Sequence, residues 1–131
     1  MSRRRGDRIQ GHRTRNSVLT VPCQINDIHY LNLLADTGAA FTAISRRAAL
    51  EMKLDTARPI RQMQMVSAHR VDYVPIIRID SFQAGCQRVR DMEVMVLSLP
   101  SELRVDGLLG VNFLEKFRVT FEFEEATMIL R

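Results

Sequence analysis

The sequence predicts an all-β protein of one domain, and three observations predict it. Apolar and polar residues alternate with a period of two in one segment after another, and Asn, Asp, Gly and Ser turns separate those segments at short intervals. Helical spacing is confined to a stretch after Ser45 and a shorter one near residue 112. With 131 residues, 46% of them hydrophobic, the chain can bury one core and has no room for a second.

The elements follow in order. In SVLTVPCQI, residues Leu19, Val21, Cys23 and Ile25 fall on one face of a half-buried strand, and Pro22, which cannot donate to a ladder, predicts that this strand lies at an edge. Asn26-Asp27 turns the chain into IHYLNLLA, completing a hairpin with Asp36 at its far end. FTAIS reads as a short strand, and Ser45 can cap a helix to Leu54 whose Ala48, Ala49, Met52 and Leu54 lie near one face. A second hairpin is predicted over residues 60–80, where IRQMQMV and VDYVPIIRI flank the polar tip Ser67-Ala68-His69-Arg70. SFQAG then turns the chain into CQRVRDMEVMVLSL. LRVDGLLGVNFLEKF predicts a strand, an acid-glycine turn and a helical segment at about residues 112–117, and FRVTFEF and ATMILR close the chain as a hairpin around Glu124-Glu125.

Charge divides the chain in two. Residues 1–17 hold six arginines against Asp7, a net of +5, which leaves −1 of the total +4 for the rest. So basic a stretch with so few apolar residues predicts a flexible arm, residues 1–17, ahead of a folded domain, residues 18–131. The arm could meet RNA or an acidic partner through charge, but no aromatic residue in it offers a base a stacking platform. Apolar runs of a few residues fall far short of the roughly 20 needed to span a bilayer, and no apolar segment follows MSRRRGDRIQG as in a secretory signal. Cys23 and Cys86 lack metal-ligand spacing and there is no glycine-rich phosphate loop, so the expectation is reduced thiols in a cytoplasmic protein without metal or cofactor.

Within NLLADTGAAFTAIS one residue stands out. A carboxylate at the end of an apolar strand costs several kcal/mol to bury unless it is paired or hydrogen-bonded, so Asp36 is either a turn aspartate or a group placed for chemistry. The organisation also echoes itself, with Leu34-Ala35-Asp36-Thr37-Gly38 before one helix and Leu103-Arg104-Val105-Asp106-Gly107-Leu108-Leu109-Gly110 before another.

Asp36-Thr37-Gly38-Ala39 after an apolar strand, a tip-bearing hairpin some 30 residues on, and Gly107-Leu108-Leu109-Gly110 before a short helix together resemble the retropepsin-like aspartic proteases over residues 18–131. The resemblance implies a closed β-barrel with a flap hairpin and one or two short helices. It also implies a homodimeric endopeptidase acting on extended peptide or protein substrates, with Asp36 as the catalytic carboxyl of each chain and Thr37, Gly38 and Ala39 supporting its loop. Val66, Ser67, Ala68, His69 and Arg70 would form the flap and touch substrate, and Gly107, Leu108, Leu109 and Gly110 the second loop element. Asp106 precedes that element and is assigned a turn or capping role. Two other readings stay open: a catalytically silent peptide-binding or dimerisation domain of the same fold, and a nucleic-acid-associated protein working through its basic arm.

Overall fold

The structure is a computed structural model and describes residues 6–15, 18–66 and 68–131. Strands β1 (Asp7–Gln10), β2 (His12–Arg13), β3 (Leu19–Ile25), β4 (His29–Ala35) and β5 (Ala43–Ser45) lead into helix α1 (Arg46–Glu51). Strands β6 (Arg61–Val66), β7 (Val71–Ala84), β8 (Gln87–Leu97) and β9 (Gly107–Leu109) precede helix α2 (Val111–Leu114), and β10 (Val119–Glu122) and β11 (Thr127–Leu130) end the chain. The larger sheet runs β2-β3-β4-β9-β5-β8-β7-β6, and an added β3–β7 pairing closes six of its strands into a barrel. The smaller sheet runs β1-β11-β10.

Closure depends on the length and bend of β7. Its 14 residues pair first with β6, Arg61↔Ile76 to Val66↔Val71, and then with β3 through Phe82↔Ile25 to Ala84↔Cys23. Between those stretches Asn26 Oδ1 accepts from the backbone N–H of Asp80 (2.9 Å) and of Ser81 (3.1 Å). Asn26 and Asp27 both have positive φ and reverse the chain within the three-residue loop 26–28 that joins Ile25 to its partner His29. One side chain therefore sets the β3–β4 turn and fastens the bend in β7. The expected turn at SFQAG is corrected: Ser81–Ala84 continue the strand because their backbone has partners in both β3 and β8, and the chain reverses at Gly85 (φ 60°).

Two further expectations change. Strand β3 is interior, flanked by β4 on one side and by β2 and β7 on the other. Pro22 is tolerated because β2 pairs at Leu19 and Thr20 while β7 pairs only from Cys23, so the proline falls in the gap. The flexible arm is corrected for residues 7–13, which pair as β1 with β11 and as β2 with β3. Ile9 is 4% exposed, Gly11 N–H donates to Ala126 O at 2.7 Å, and the Arg8 guanidinium bridges Glu122 and Glu125. Gly11 also runs against β3, where a Cβ would stand 2.1 Å from Thr20 O. Composition misled here because backbone pairing needs little apolar side chain. Residues 1–5, 16 and 17 lie outside the described residues.

Ser45 caps α1 as expected, its Oγ accepting from Ala48 N–H at 3.1 Å. Lys53, with φ 57°, ends the turn that follows. The main core gathers Val21, Ile25, Leu33, Ile79 and Leu109, with Phe82 and Phe113 meeting edge-to-face at 5.0 Å. A smaller cluster of Ala43, Val74, Ile76 and Met95 lies at the root of the β6–β7 hairpin. Among the described residues no helix is long and apolar enough to cross a membrane, and none group as metal ligands.

Two outcomes are expected. Ile9→Ala should cost about 2 to 4 kcal/mol in denaturant unfolding, since a buried side chain leaves a cavity; a loss of a few tenths would return residues 7–13 to the status of a loose arm. Burial pushes the Cys23 thiol pKa up from 9.0, so the folded protein keeps that proton after the unfolded chain has lost it. Stability from this source is complete below about pH 9 and falls by up to ~1.4 kcal/mol per pH unit above it. Cys23→Val should flatten the alkaline limb of the stability curve by that amount.

Candidate active site

Strand β4 delivers Asp36 to a loop held by main-chain bonds at each step. Its N–H donates to Leu109 O (3.0 Å), its carbonyl accepts from Ala39 N–H (3.2 Å), and its Oδ1 accepts from Gly38 N–H (2.8 Å). A Cβ on Gly38 would stand 3.2 Å from that carboxyl oxygen, so the small residue lets the backbone come this close. Thr37 and Gly38 are exposed, and Asp36 and Ala39 are half-buried.

The second loop element lies against the first. Strand β9 pairs in parallel with β4 at Leu33↔Gly107, Leu34↔Leu108 and Ala35↔Leu109, and antiparallel with β5 at Ala43↔Leu108. Both glycines are required by contact: a Cβ on Gly107 would meet Ala43 O at 1.9 Å, and one on Gly110 would meet Phe41 C and O at 2.5 Å. From Gly110 the chain enters α2, where Val111 N–H donates to Ala39 O (2.8 Å) and Asn112 N–H to Ala40 O (3.0 Å).

Two residues that the sequence reading passed over hold this junction. Thr42 is fully buried; its N–H and its hydroxyl both donate to Asn112 Oδ1 (2.8 and 2.9 Å), while its Oγ1 accepts from Gly110 N–H at 3.1 Å. Asn112 Nδ2 donates in turn to Glu93 O at 2.9 Å. The available signal was one polar residue in each of two apolar runs, Thr42 in AAFTAI and Asn112 in GLLGVNFL.

Asp106 has the capping role expected of it. Its Oδ2 accepts from Asn32 N–H at 2.9 Å, and its backbone pairs with Asn32 O and Ser45 N–H. Asn32 lies four residues before Asp36 on an extended strand, about 13 Å at ~3.3 Å per residue. Asp106 and Asp36 are thus not brought together.

The β6–β7 hairpin projects from the barrel. Its root residues Met63 and Val74 pack with Phe41 and Leu108, the neighbours of the Asp36 loop, and the Arg61 guanidinium pairs with Glu93 and lies 5.9 Å from the Phe41 ring centroid. Val66, Ala68, His69 and Arg70 are exposed at the tip; Ser67 lies outside the described residues. Arg70 bonds Asp72 through Nε and Nη2 (2.9 and 2.7 Å), and that hydrogen bond raises the guanidinium pKa. A cleft of about 540 Å³ opens between Met65, Val66 and Tyr73 on the hairpin and Leu97 and Ser98 at the end of β8.

The profile of the aspartyl protease family matches residues 21–113, which span the Asp36 loop, the hairpin and the Gly107–Gly110 element. The chain belongs to the aspartyl protease family. Its fold is similar to a retropepsin-like aspartic protease from Rickettsia conorii, with a TM-score of 0.73 at 21% identity over 94% of this chain and 89% of that one. It is also similar to the retroviral protease-like domain of Ddi1 from Leishmania major, with a TM-score of 0.61 at 17% identity over 86% of this chain and 87% of that one. Comparison with curated protein sequences finds no match. The retropepsin-like barrel inferred from the Asp-Thr-Gly-Ala context is thus the fold of this aspartyl protease family member.

The buried junction behind the loop should respond to a change that alters chemistry and not shape. Thr42→Val removes the hydroxyl from Asn112 and leaves Gly110 N–H buried without its acceptor, which should cost about 1 to 3 kcal/mol of stability. Thr42→Ser, which keeps the hydroxyl, should recover most of that loss in the same unfolding measurement.

Proposed function

We propose that the protein is a homodimeric aspartic endopeptidase in which Asp36 of each subunit supplies one carboxyl of the catalytic pair. The observation that carries this reading is that one Asp-Thr-Gly-Ala loop is built per chain, while the acid of the echoing element, Asp106, is engaged with Asn32 well away from it. Water-mediated peptide hydrolysis needs one carboxylate to accept a proton from water and one carboxylic acid to protonate the scissile amide. The water oxygen bonds to the carbonyl carbon, its proton passes to the carboxylate, and the C–N bond breaks as the amide nitrogen takes the proton of the acid. Two carboxyls about 3 Å apart cannot both ionise and so hold one proton between them, as the aspartic proteases in general illustrate. A twofold axis beside Asp36 supplies the second group at no cost in sequence.

In this reading Thr37, exposed beside Asp36, reaches the other subunit, and Gly38 N–H holds Asp36 Oδ1 so that the carboxyl keeps its aim. Val66, Ser67, Ala68, His69 and Arg70 close over an extended peptide, which adds to the hairpin as a strand and is shielded from water. Gly107, Leu108, Leu109 and Gly110 act from behind, fixing the loop through Leu109 O and the α2 contacts. A cytoplasmic setting suits the two free thiols, Cys23 and Cys86. The pairing of residues 7–13 within the sheets takes basic residues Arg8 and Arg13 out of any loose arm, which weighs against the nucleic-acid reading.

Asp36→Asn keeps the side-chain size and removes the acid-base function, so cleavage of a peptide library should fall at least ~10³-fold while fold and dimer persist. An active variant would overturn the assignment. Specific activity should also drop as the enzyme is diluted through its dimer dissociation constant, and excess Asp36→Asn chains should inhibit the wild type by forming one-carboxyl heterodimers. Activity per chain that stays constant where sedimentation finds monomers would refute the shared site.

A further inference from the structure

A second cleft, of about 630 Å³, opens beside Leu34 of β4. Its apolar lining is Val18, Leu34, Leu103 and Val105, and its charged lining is Arg15, Arg104 and Glu102. Leu34 places it relative to the candidate carboxyl: Leu34 and Asp36 are two residues apart on extended backbone, so they fall on the same side about 7 Å apart. That is also the spacing between same-side residues of an extended peptide. Among the described residues Arg15, Arg104 and Glu102 form no ion pair, a state that Arg15 and Arg104 share with other exposed arginines such as Arg46, Arg78 and Arg90; what sets these two apart is that they line one cleft. The cleft therefore offers two guanidinium groups against one carboxylate over an apolar floor, a combination that accepts a side chain with a methylene stem and an anionic end.

Resting on the endopeptidase reading, we infer that this cleft receives a substrate side chain next to the scissile bond and selects for Glu or Asp there, with Arg15 and Arg104 as the specificity-determining residues. Arg104 is suited to that task by its backbone. It is left-handed (φ 51°, ψ 36°) at the end of the 3₁₀ turn Ser101–Leu103, and this conformation redirects the chain between Leu103 and Val105. Glu102 moderates the preference, since its own carboxylate competes for the same guanidinium groups.

The test is digestion of a proteome-derived peptide mixture by the full-length protein, with cut sites read by mass spectrometry and residue frequencies compared within each digest, so that overall rate cancels. Glu and Asp should be enriched about threefold or more at one position within three residues of the cut, the size expected of a solvent-exposed ion pair. The enrichment should vanish at 1 M salt, where the Debye length is about 3 Å. Arg15→Gln with Arg104→Gln should abolish it and Glu102→Gln should increase it, all three exchanges preserving the side-chain stems. Cut sites without acidic enrichment, enrichment of Lys or Arg, or a profile unchanged by the arginine exchanges would overturn the inference while leaving the protease reading intact. A change in dimer dissociation constant with no change in profile would overturn it too, marking the arginines as part of the subunit contact. Absence of any cut site would overturn the protease reading, and this inference with it.

Discussion

The arrangement depends on one close backbone contact, the approach of the Gly107–Gly110 segment to the chain on either side of Asp36. Nothing larger than glycine fits at Gly107 or Gly110, where Ala43 O and the Phe41 carbonyl stand in the space of a Cβ. Because the backbones touch, β9 can pair with β4 and β5 at once, and Asp36 N–H, Val111 N–H and Asn112 N–H all find main-chain acceptors in the facing segment. Thr42 and Asn112 then fill the polar demand that this approach creates. A loop on the surface is thereby fixed from behind by buried Thr42 and half-buried Asn112, which is how a short turn can hold a carboxyl steadily.

That contact also explains which parts of the molecule were legible in sequence. Hairpins β3–β4, β6–β7 and β10–β11 and the Ser45 cap were readable because period-two alternation, paired left-handed turn residues and N-cap chemistry are local. Asp36-Thr37-Gly38 stood out for the same reason, an acid and a glycine where the apolar pattern stops. The parallel pairing of β9, the β7–β3 closure and the β1–β11 pairing were not readable. Each joins segments far apart in the chain through backbone hydrogen bonds, which nearly any sequence can make. Ile9 alone hardly distinguishes a strand from a basic tail, and Thr42 in FTAIS looks like any β-branched strand residue until Asn112 is placed beside it.

Sheet closure and site placement are one problem in this fold. Asn26 fixes the bend at Asp80 and Ser81 from which β7 swings across to β3. The same strand, before the bend, carries the projecting hairpin whose root packs on Phe41 and Leu108. A change in the bend would tilt the hairpin over the Asp36 loop. Ala68, His69 and Arg70 are exposed beyond the last pair of the hairpin ladder, Val66↔Val71.

Charge follows a different logic from packing. The composition reads as a basic protein with a basic end, and either description suggests a polyanionic partner. In the fold the arginines are dispersed and several meet carboxylates: Arg8 meets Glu122 and Glu125 across the small sheet, Arg88 meets Asp27 at the first turn, and Arg61 meets Glu93 beside the Phe41 ring. These exposed pairs contribute little stability because solvent screens them, but each offsets charge locally. Arg15 and Arg104 stand apart because they line a cleft that shares Leu34 with the strand leading to Asp36. Two guanidinium groups on one cleft concentrate positive potential, where the arginines dispersed over the rest of the surface spread theirs.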